Sequence, residues 1–297
     1  MYFKTIKKFI HISIYEHNGI FVYIDVQISN TNDMKKQVLI FGASSGIGFH
    51  LAQYFLQAKD SVINCSRRKC PDDRVRSIHC DVSKEGEIEN AFKEIEKVCD
   101  GIDYFIYSAG TSMSAPFEYT KEEDYRYLCE VNFFGLAKAT QLAIPLVKRK
   151  GGKIIFISSL GGAVPIPYDP FYSATKSAVN MLAVELNMEL KAFGVDVITI
   201  LPGGTATDFT AKRLVYPLEE CGSYKAKTAK ATKALAQIEQ GGMSPQDVAK
   251  EIYYGINLKK TPIYLTIGAK NKLLRGAGKL LPKKALLKSV RKIYDIN

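Results

Sequence analysis

The side chains best suited to chemistry in this 297-residue chain are a phenol and an amine in Tyr172-Ser173-Ala174-Thr175-Lys176. Four residues apart on a helix, Tyr172 and Lys176 share a face. A free tyrosine titrates near ~10, too high for efficient proton exchange at neutral pH, and a neighbouring ammonium favours the phenolate and lowers that value. Tyr-x-x-x-Lys is a cheap pattern in a chain with 17 tyrosines, yet it occurs here once, where a strand–helix alternation would put a site. Ahead of it, Ser158-Ser159 closes an apolar run. The Ser159 hydroxyl can hydrogen-bond a substrate oxygen as charge develops there. A strand-end serine also satisfies backbone groups, and Ser159 taken alone favours that reading.

A second constellation is Gly42-Ala43-Ser44-Ser45-Gly46-Ile47-Gly48, between an apolar run and a helical pattern. Glycines permit a tight turn and close approach to a pyrophosphate, and the helix N-terminus adds free N–H groups and a positive dipole end. The next apolar run ends in Asn64-Cys65-Ser66-Arg67-Arg68, with no acid to grip a ribose 2′-hydroxyl. Guanidinium forks suit a 2′-phosphate, and Ser45 can add a donor, so the residues favour NADP(H) over NAD(H). Two solvated surface arginines are the plainer alternative.

These groups need a scaffold, and the hydropathy pattern supplies one. Apolar runs at 38–41, 61–65, 78–80, 102–107, 153–157, 195–201 and 263–267 read as strands. Helical periodicity falls at 46–58, 84–98, 122–148, with Pro145 expected to kink or end it, and 171–193, closed by Gly194. Continuous apolar strands alternating with helices predict an α/β fold, a doubly wound, Rossmann-like parallel sheet in one domain with N- and C-terminal appendages. Each motif above follows a strand, where ligands of such sheets bind. The expected division is an extension at 1–33 outside the fold, a catalytic domain at 34–268 and a basic amphipathic tail at 269–297.

Composition narrows the classes. Hydrophobic residues make up 46%, which excludes wholesale disorder. Six cysteines without a CxxC pair and four scattered histidines offer no metal site and suit a reducing cytoplasm. The net charge is +11, but from Lys259 onward eleven basic residues face one acid, Asp295, so residues 1–258 are nearly neutral. In the tail, Leu273, Ala277 and Leu280 make one stripe and Leu287, Val290 and Tyr294 another, broken by Pro282. Such a segment lies on an anionic membrane, docks on the body or makes an oligomer contact. Basic residues among leucines, without a stacking platform, do not point to nucleic acid. Apolar residues also gather at 163–168 and in 208–242 (Phe209, Leu214, Tyr216 and a helix at 228–240).

In its motifs the chain resembles the short-chain dehydrogenase/reductase family, in the branch with a Gly-x-x-x-Gly-x-Gly turn and Tyr-x-x-x-Lys. The likeness runs from about Met34 to Gly268. It implies cofactor contacts at Gly42, Ser44, Ser45, Gly46, Ile47, Gly48 and Arg67, at the Asp81-Val82 pair beside adenine, at Ala109 and Gly110, at Lys176, and at Pro202, Gly203, Thr205 and Thr207, the threonines fixing the carboxamide. It implies that Tyr172 is the acid/base, that Lys176 binds the nicotinamide ribose and tunes the phenol, that Ser159 positions the carbonyl, and that Asn132 holds a relay water. The chain departs in two places: Phe41 replaces a threonine before the first glycine, and Tyr107-Ser108 replace two asparagines before Ala109. Those positions tie strands together in the family, so the departures concern packing. In the family the segments at 163–168 and 208–242 wall the substrate, so their apolar residues imply a small hydrophobic carbonyl or alcohol, and the expectation is an NADP(H)-dependent carbonyl reductase, cytoplasmic and homo-oligomeric, with peripheral membrane contact through the tail as one reading. The alternative is a non-catalytic nucleotide sensor or membrane-associated scaffold on the same fold.

Overall fold

The computed structural model describes residues 8–15, 23–30 and 35–296, in two compact units, Met1–Lys36 and Gln37–Asn297. In the first, β1 (Lys8–Tyr15) and β2 (Tyr23–Asn30) pair antiparallel, with Lys8 opposite Asn30. The junction expected at 33–34 lies outside the described residues.

The second unit runs β3 (Gln37–Phe41), α1 (Gly46–Gln57), β4 (Ser61–Ser66), β5 (Arg76–His79), α2 (Glu87–Glu96), β6 (Tyr104–Tyr107) and β7 (Met113–Ser114). It continues through α3 (Glu122–Cys129), α4 (Gly135–Lys148), β8 (Lys153–Ile157), α5 (Pro170–Leu190), β9 (Asp196–Leu201) and β10 (Leu214–Val215). It closes with α6 (Lys225–Gln240), α7 (Pro245–Ile256), β11 (Tyr264–Thr266), α8 (Ala269–Leu280) and α9 (Lys283–Ile293). Among the described residues, seven strands form one parallel sheet in the order β11-β9-β8-β6-β3-β4-β5. The order reverses between β3 and β6, which opens a crevice at the carboxyl ends of those two strands.

Period-two alternation divides the core. Leu39 and Phe41 of β3 face one layer with Ile88 and Phe92 of α2, Leu136 and Ala143 of α4 and Val179 of α5. Val38 and Ile40 face the other, with Leu51 and Phe55 of α1 and Val248 and Ile252 of α7. Both faces of the sheet are thus covered, which is why its strands read as unbroken apolar runs.

Pro145 does not end its helix: α4 continues to Lys148, with Ala143, Leu146 and Val147 buried against the sheet. Tertiary burial here outweighs the propensity of one residue. The irregularity of the 122–148 stretch falls instead at Glu130–Phe134, a π-helical turn between α3 and α4. That turn holds the buried Asn132.

The two departures at the strand ends meet each other. Phe41 lies opposite Tyr107 in the sheet, and their rings stack with centroids 5.8 Å apart. The Tyr107 hydroxyl then donates to the Val131 carbonyl at 2.8 Å, inside the π turn. The replacements are a packing solution that ties β3 and β6 to the helix segment carrying Asn132.

Candidate active site

The turn from β3 to α1 is shaped by two glycines. Gly42 has φ +96°, and a Cβ there would lie 2.8 Å from the Ala109 nitrogen; a Cβ on Gly48 would lie 2.2 Å from the Gly42 carbonyl oxygen. Asn64, fully buried on β4, accepts a hydrogen bond from the Ala43 N–H at 2.9 Å and pins the turn to the neighbouring strand. Among the described residues, Phe49 is the first of α1 to donate into the helix ladder, to the Ser45 carbonyl at 3.3 Å. The earlier N–H groups of the helix start have no acceptor in the ladder, as an anion cradle requires. Asn64 escaped the sequence reading; an asparagine in an otherwise apolar strand was its signal.

Just past the carboxyl end of β4, Arg68 donates from Nη2 to Ser45 Oγ at 3.3 Å, and Arg67 from Nη1 to the Tyr127 hydroxyl at 3.2 Å. Asp81 accepts from the Ser83 N–H at 3.1 Å and from its hydroxyl at 2.7 Å. Burial works to raise the Asp81 carboxyl, but these bonds, joined by the Arg67 charge, hold it below its ordinary value.

Tyr172 and Lys176 occupy the first turns of α5, which opens with Pro170 at its first position. Both side chains are buried. The Lys176 ammonium lies 5.6 Å from the centre of the Tyr172 ring and donates to the Ile157 carbonyl at 3.1 Å. Burial pushes the Tyr172 phenol well above the usual tyrosine range, while the Ser159 hydroxyl acts the other way. Burial also brings Lys176 down to about 8. Ser159 Oγ accepts from the Gly161 N–H at 3.0 Å, capping the 3-10 turn Leu160–Gly162. Ser159 thus serves the backbone as a strand-end serine does, and its hydroxyl also hydrogen-bonds the Tyr172 phenol.

Asn132 is a clamp. Its Oδ1 accepts from the Thr111 N–H and its Nδ2 donates to the Thr111 carbonyl, each at 2.9 Å. Gly110 separates it from Lys176: a Cβ there would stand 3.4 Å from Asn132 Oδ1 and 3.7 Å from Lys176 Nζ. On the far side, Pro202 takes the Leu160 N–H at 2.8 Å, Thr205 Oγ1 donates to the Gly203 carbonyl at 3.1 Å, and Thr207 Oγ1 accepts from the Phe209 N–H at 3.3 Å.

One cavity of about 730 Å³ joins these parts. Of the sequence-predicted residues, Gly42, Ser44, Ser45, Gly46, Ile47, Arg67, Asp81, Val82, Ala109, Gly110, Ser159, Tyr172, Lys176, Pro202, Gly203, Thr205 and Thr207 line it. Asn132 and Gly48 stand behind the wall. Tyr172 and Lys176 thus line the same cavity as the glycine turn.

The sequence profile of the short chain dehydrogenase family matches residues 36–215. The chain belongs to that family. It is 29% identical over 263 residues to the 3-ketodihydrosphingosine reductase of Bacteroides thetaiotaomicron, covering 87% of this chain and 98% of that one. It is 28% identical to the NADPH-dependent 1-acyldihydroxyacetone phosphate reductase of Saccharomyces cerevisiae, over 89% of this chain and 92% of that one. Among solved structures, a short-chain dehydrogenase from Streptomyces avermitilis superposes with a TM-score of 0.73 at 28% identity, covering 88% of this chain and 98% of that one. This short-chain dehydrogenase is thus an NAD(P)-binding oxidoreductase of the CH–OH/carbonyl class.

The substrate side holds a group that sequence reading missed. Arg213, nearly inaccessible, pairs with Glu239 of α6, and its Nε donates to Ser112 Oγ at 3.1 Å. Glu239 also accepts from Thr210 Oγ1 at 2.7 Å. Asp169, beside the start of α5, is buried, which pushes its carboxyl well above its usual range against the pull of the Arg213 charge. Together they lock the segment after Thr207, and the parallel pairing of β10 with β7, over the cavity. These residues are far apart in sequence and follow no local pattern.

Proposed function

We propose that this short-chain dehydrogenase reduces a hydrophobic ketone with NADPH, Tyr172 being the proton donor. The observation that carries the reading is the buried Tyr172–Lys176 pair, with Ser159 beside the phenol, in the cavity that the glycine turn opens. NADPH, when bound along the turn, supplies the hydride. The free N–H groups of the helix start fit its pyrophosphate, and Arg68 with Ser45 fits a 2′-phosphate. Burial keeps the proton on Tyr172 until a carbonyl oxygen is present to take it, which suits reduction. As the phenol yields its proton to that oxygen, the Ser159 hydroxyl and the Lys176 ammonium stabilise the phenolate. Lys176 also has donors left for ribose hydroxyls. Asn132 is a positioning residue, holding the Gly110-Thr111 strip beside Lys176.

The named activities of the two relatives support reduction of a carbonyl compound, and the name of the yeast one supports NADPH. The apolar wall built from Val164, Ile166, Phe209, Leu235, Leu274 and Val290 supports a hydrophobic substrate. Exposed Phe134, Met181 and Met188, on and beside α4 and α5, support a homo-oligomer through those helices. The test is Tyr172→Phe. Turnover of NADPH with a ketone panel should fall by roughly 10²–10⁴ while NADPH affinity stays near wild type. A variant as active as wild type overturns the assignment.

A further inference from the structure

The last two helices have two distinct sides. On α8, Asn271 and Leu274 line the cavity, while Leu273 and Leu280 point away from it, 75% and 87% exposed. Seven residues apart, these leucines stand on one face, and Lys272 and Lys279 flank them on one side and Lys270 on the other. On α9, Leu286, Val290 and Tyr294 pack against Ala231 and Leu235 of α6. The buried stripe thus begins at Leu286 and not at Leu287, which is exposed. The opposite face of α9 carries Lys284, Lys288 and Arg291, all exposed. Among the described residues, none of these tail lysines or Arg291 forms an ion pair, whereas the tail's one acid, Asp295, is already paired with Lys230 at 2.9 Å. Ile293, exposed and part of the cavity wall, lies on the side of α9 opposite Lys284, Lys288 and Arg291.

Exposed leucines ringed by unpaired cations are poorly suited to water and well suited to the boundary of an anionic bilayer, where apolar side chains enter and ammonium groups meet phosphates. A second copy of this chain would bring the same positive face and be repelled. We propose that α8 and α9 seat the enzyme on an anionic phospholipid surface through Leu273, Leu280 and the lysines around them.

The test uses the full chain. Sedimentation with phosphatidylglycerol/phosphatidylcholine vesicles should carry the protein into the pellet, and pure phosphatidylcholine vesicles should leave it in solution. Lys284→Gln with Lys288→Gln should weaken binding about thirtyfold, roughly fivefold for each charge removed near the surface. Leu273→Ser with Leu280→Ser should also release the protein while leaving its melting temperature and NADPH affinity unchanged. Equal pelleting with both vesicle types, binding indifferent to both variants, or a wild-type oligomer that only the leucine variant dissociates would overturn the proposal. None of these outcomes touches the Tyr172→Phe result, so the two readings fail separately.

Discussion

Replacing Lys176 by methionine should make the cofactor-free protein more stable while abolishing its chemistry. The ammonium is buried, and its affinity for a proton falls from the ordinary 10.5 to about 8. At about 1.36 kcal/mol for each pH unit, holding the charge inside costs about 3 kcal/mol. Methionine of similar length carries no charge, and the change leaves the Ile157 carbonyl without this donor, a loss of about 1 kcal/mol. The net gain is about 2 kcal/mol, or roughly 4–8 °C in melting temperature for a domain of this size. The pH dependence gives the sign a second check. Below pH 8 the lysine is charged in both folded and unfolded chains, and the cost is present in full. Between about 8 and 10.5 the folded lysine sheds its proton while the unfolded one keeps it, so wild-type stability rises relative to the variant and the difference closes. Thermal unfolding of both proteins from pH 6 to 10.5, followed by circular dichroism, measures this. A methionine variant that melts below wild type at pH 7, or an advantage that stays constant to pH 10.5, refutes the reasoning.

Two further changes probe the cofactor end and the lid. Arg68→Ala should raise the dissociation constant for NADPH roughly ten- to a hundredfold and leave that for NADH nearly unchanged, because a charge-assisted contact to the 2′-phosphate is worth about 1.5–3 kcal/mol; equal losses for both cofactors, read by fluorescence titration, would show that the arginine does not select. Glu239→Gln should destabilise the fold by about 3–5 kcal/mol in urea unfolding by leaving the Arg213 charge buried and unpaired, and Arg213→Met in the same chain should recover much of the loss; a double variant no better than the single one would show that the pair is not the source.

The main sheet was legible because each of its strands has a local signal. Burial on both faces leaves an apolar run such as Lys153–Ile157, and α5 announces itself by its period and by Gly194 at φ +70°, just past its end. The candidate site residues were brought to one cavity for a related reason: the glycine turn and the Tyr172/Lys176 spacing are local, and a parallel sheet brings the carboxyl ends of its strands to one rim. Boundaries were less so. Residues 78–80 read as a strand because they are apolar, whereas β5 at the sheet edge spans Arg76–His79, its polar ends carried by backbone pairing with β4.

What stayed illegible is polar and non-local, and it decides how the site is held and what enters it. Nothing in a window around Asn64 states that its amide reaches Ala43 across two strands, and nothing around Arg213 points to Glu239, 26 residues on and on another element. A hydrogen bond between distant residues leaves no period in the sequence, because only the fold brings its halves together. The cavity shows the same limit: one wall comes from Val164 and Ile166, another from Phe209 and Leu235, a third from Leu274 and Val290. Each of those residues, read alone, is an ordinary apolar side chain of a helix or loop. In the proposed function substrate selection rests on contacts among separated segments and proton transfer on a spacing of four residues, and this difference explains why the reaction class could be read from the chain and the substrate could not.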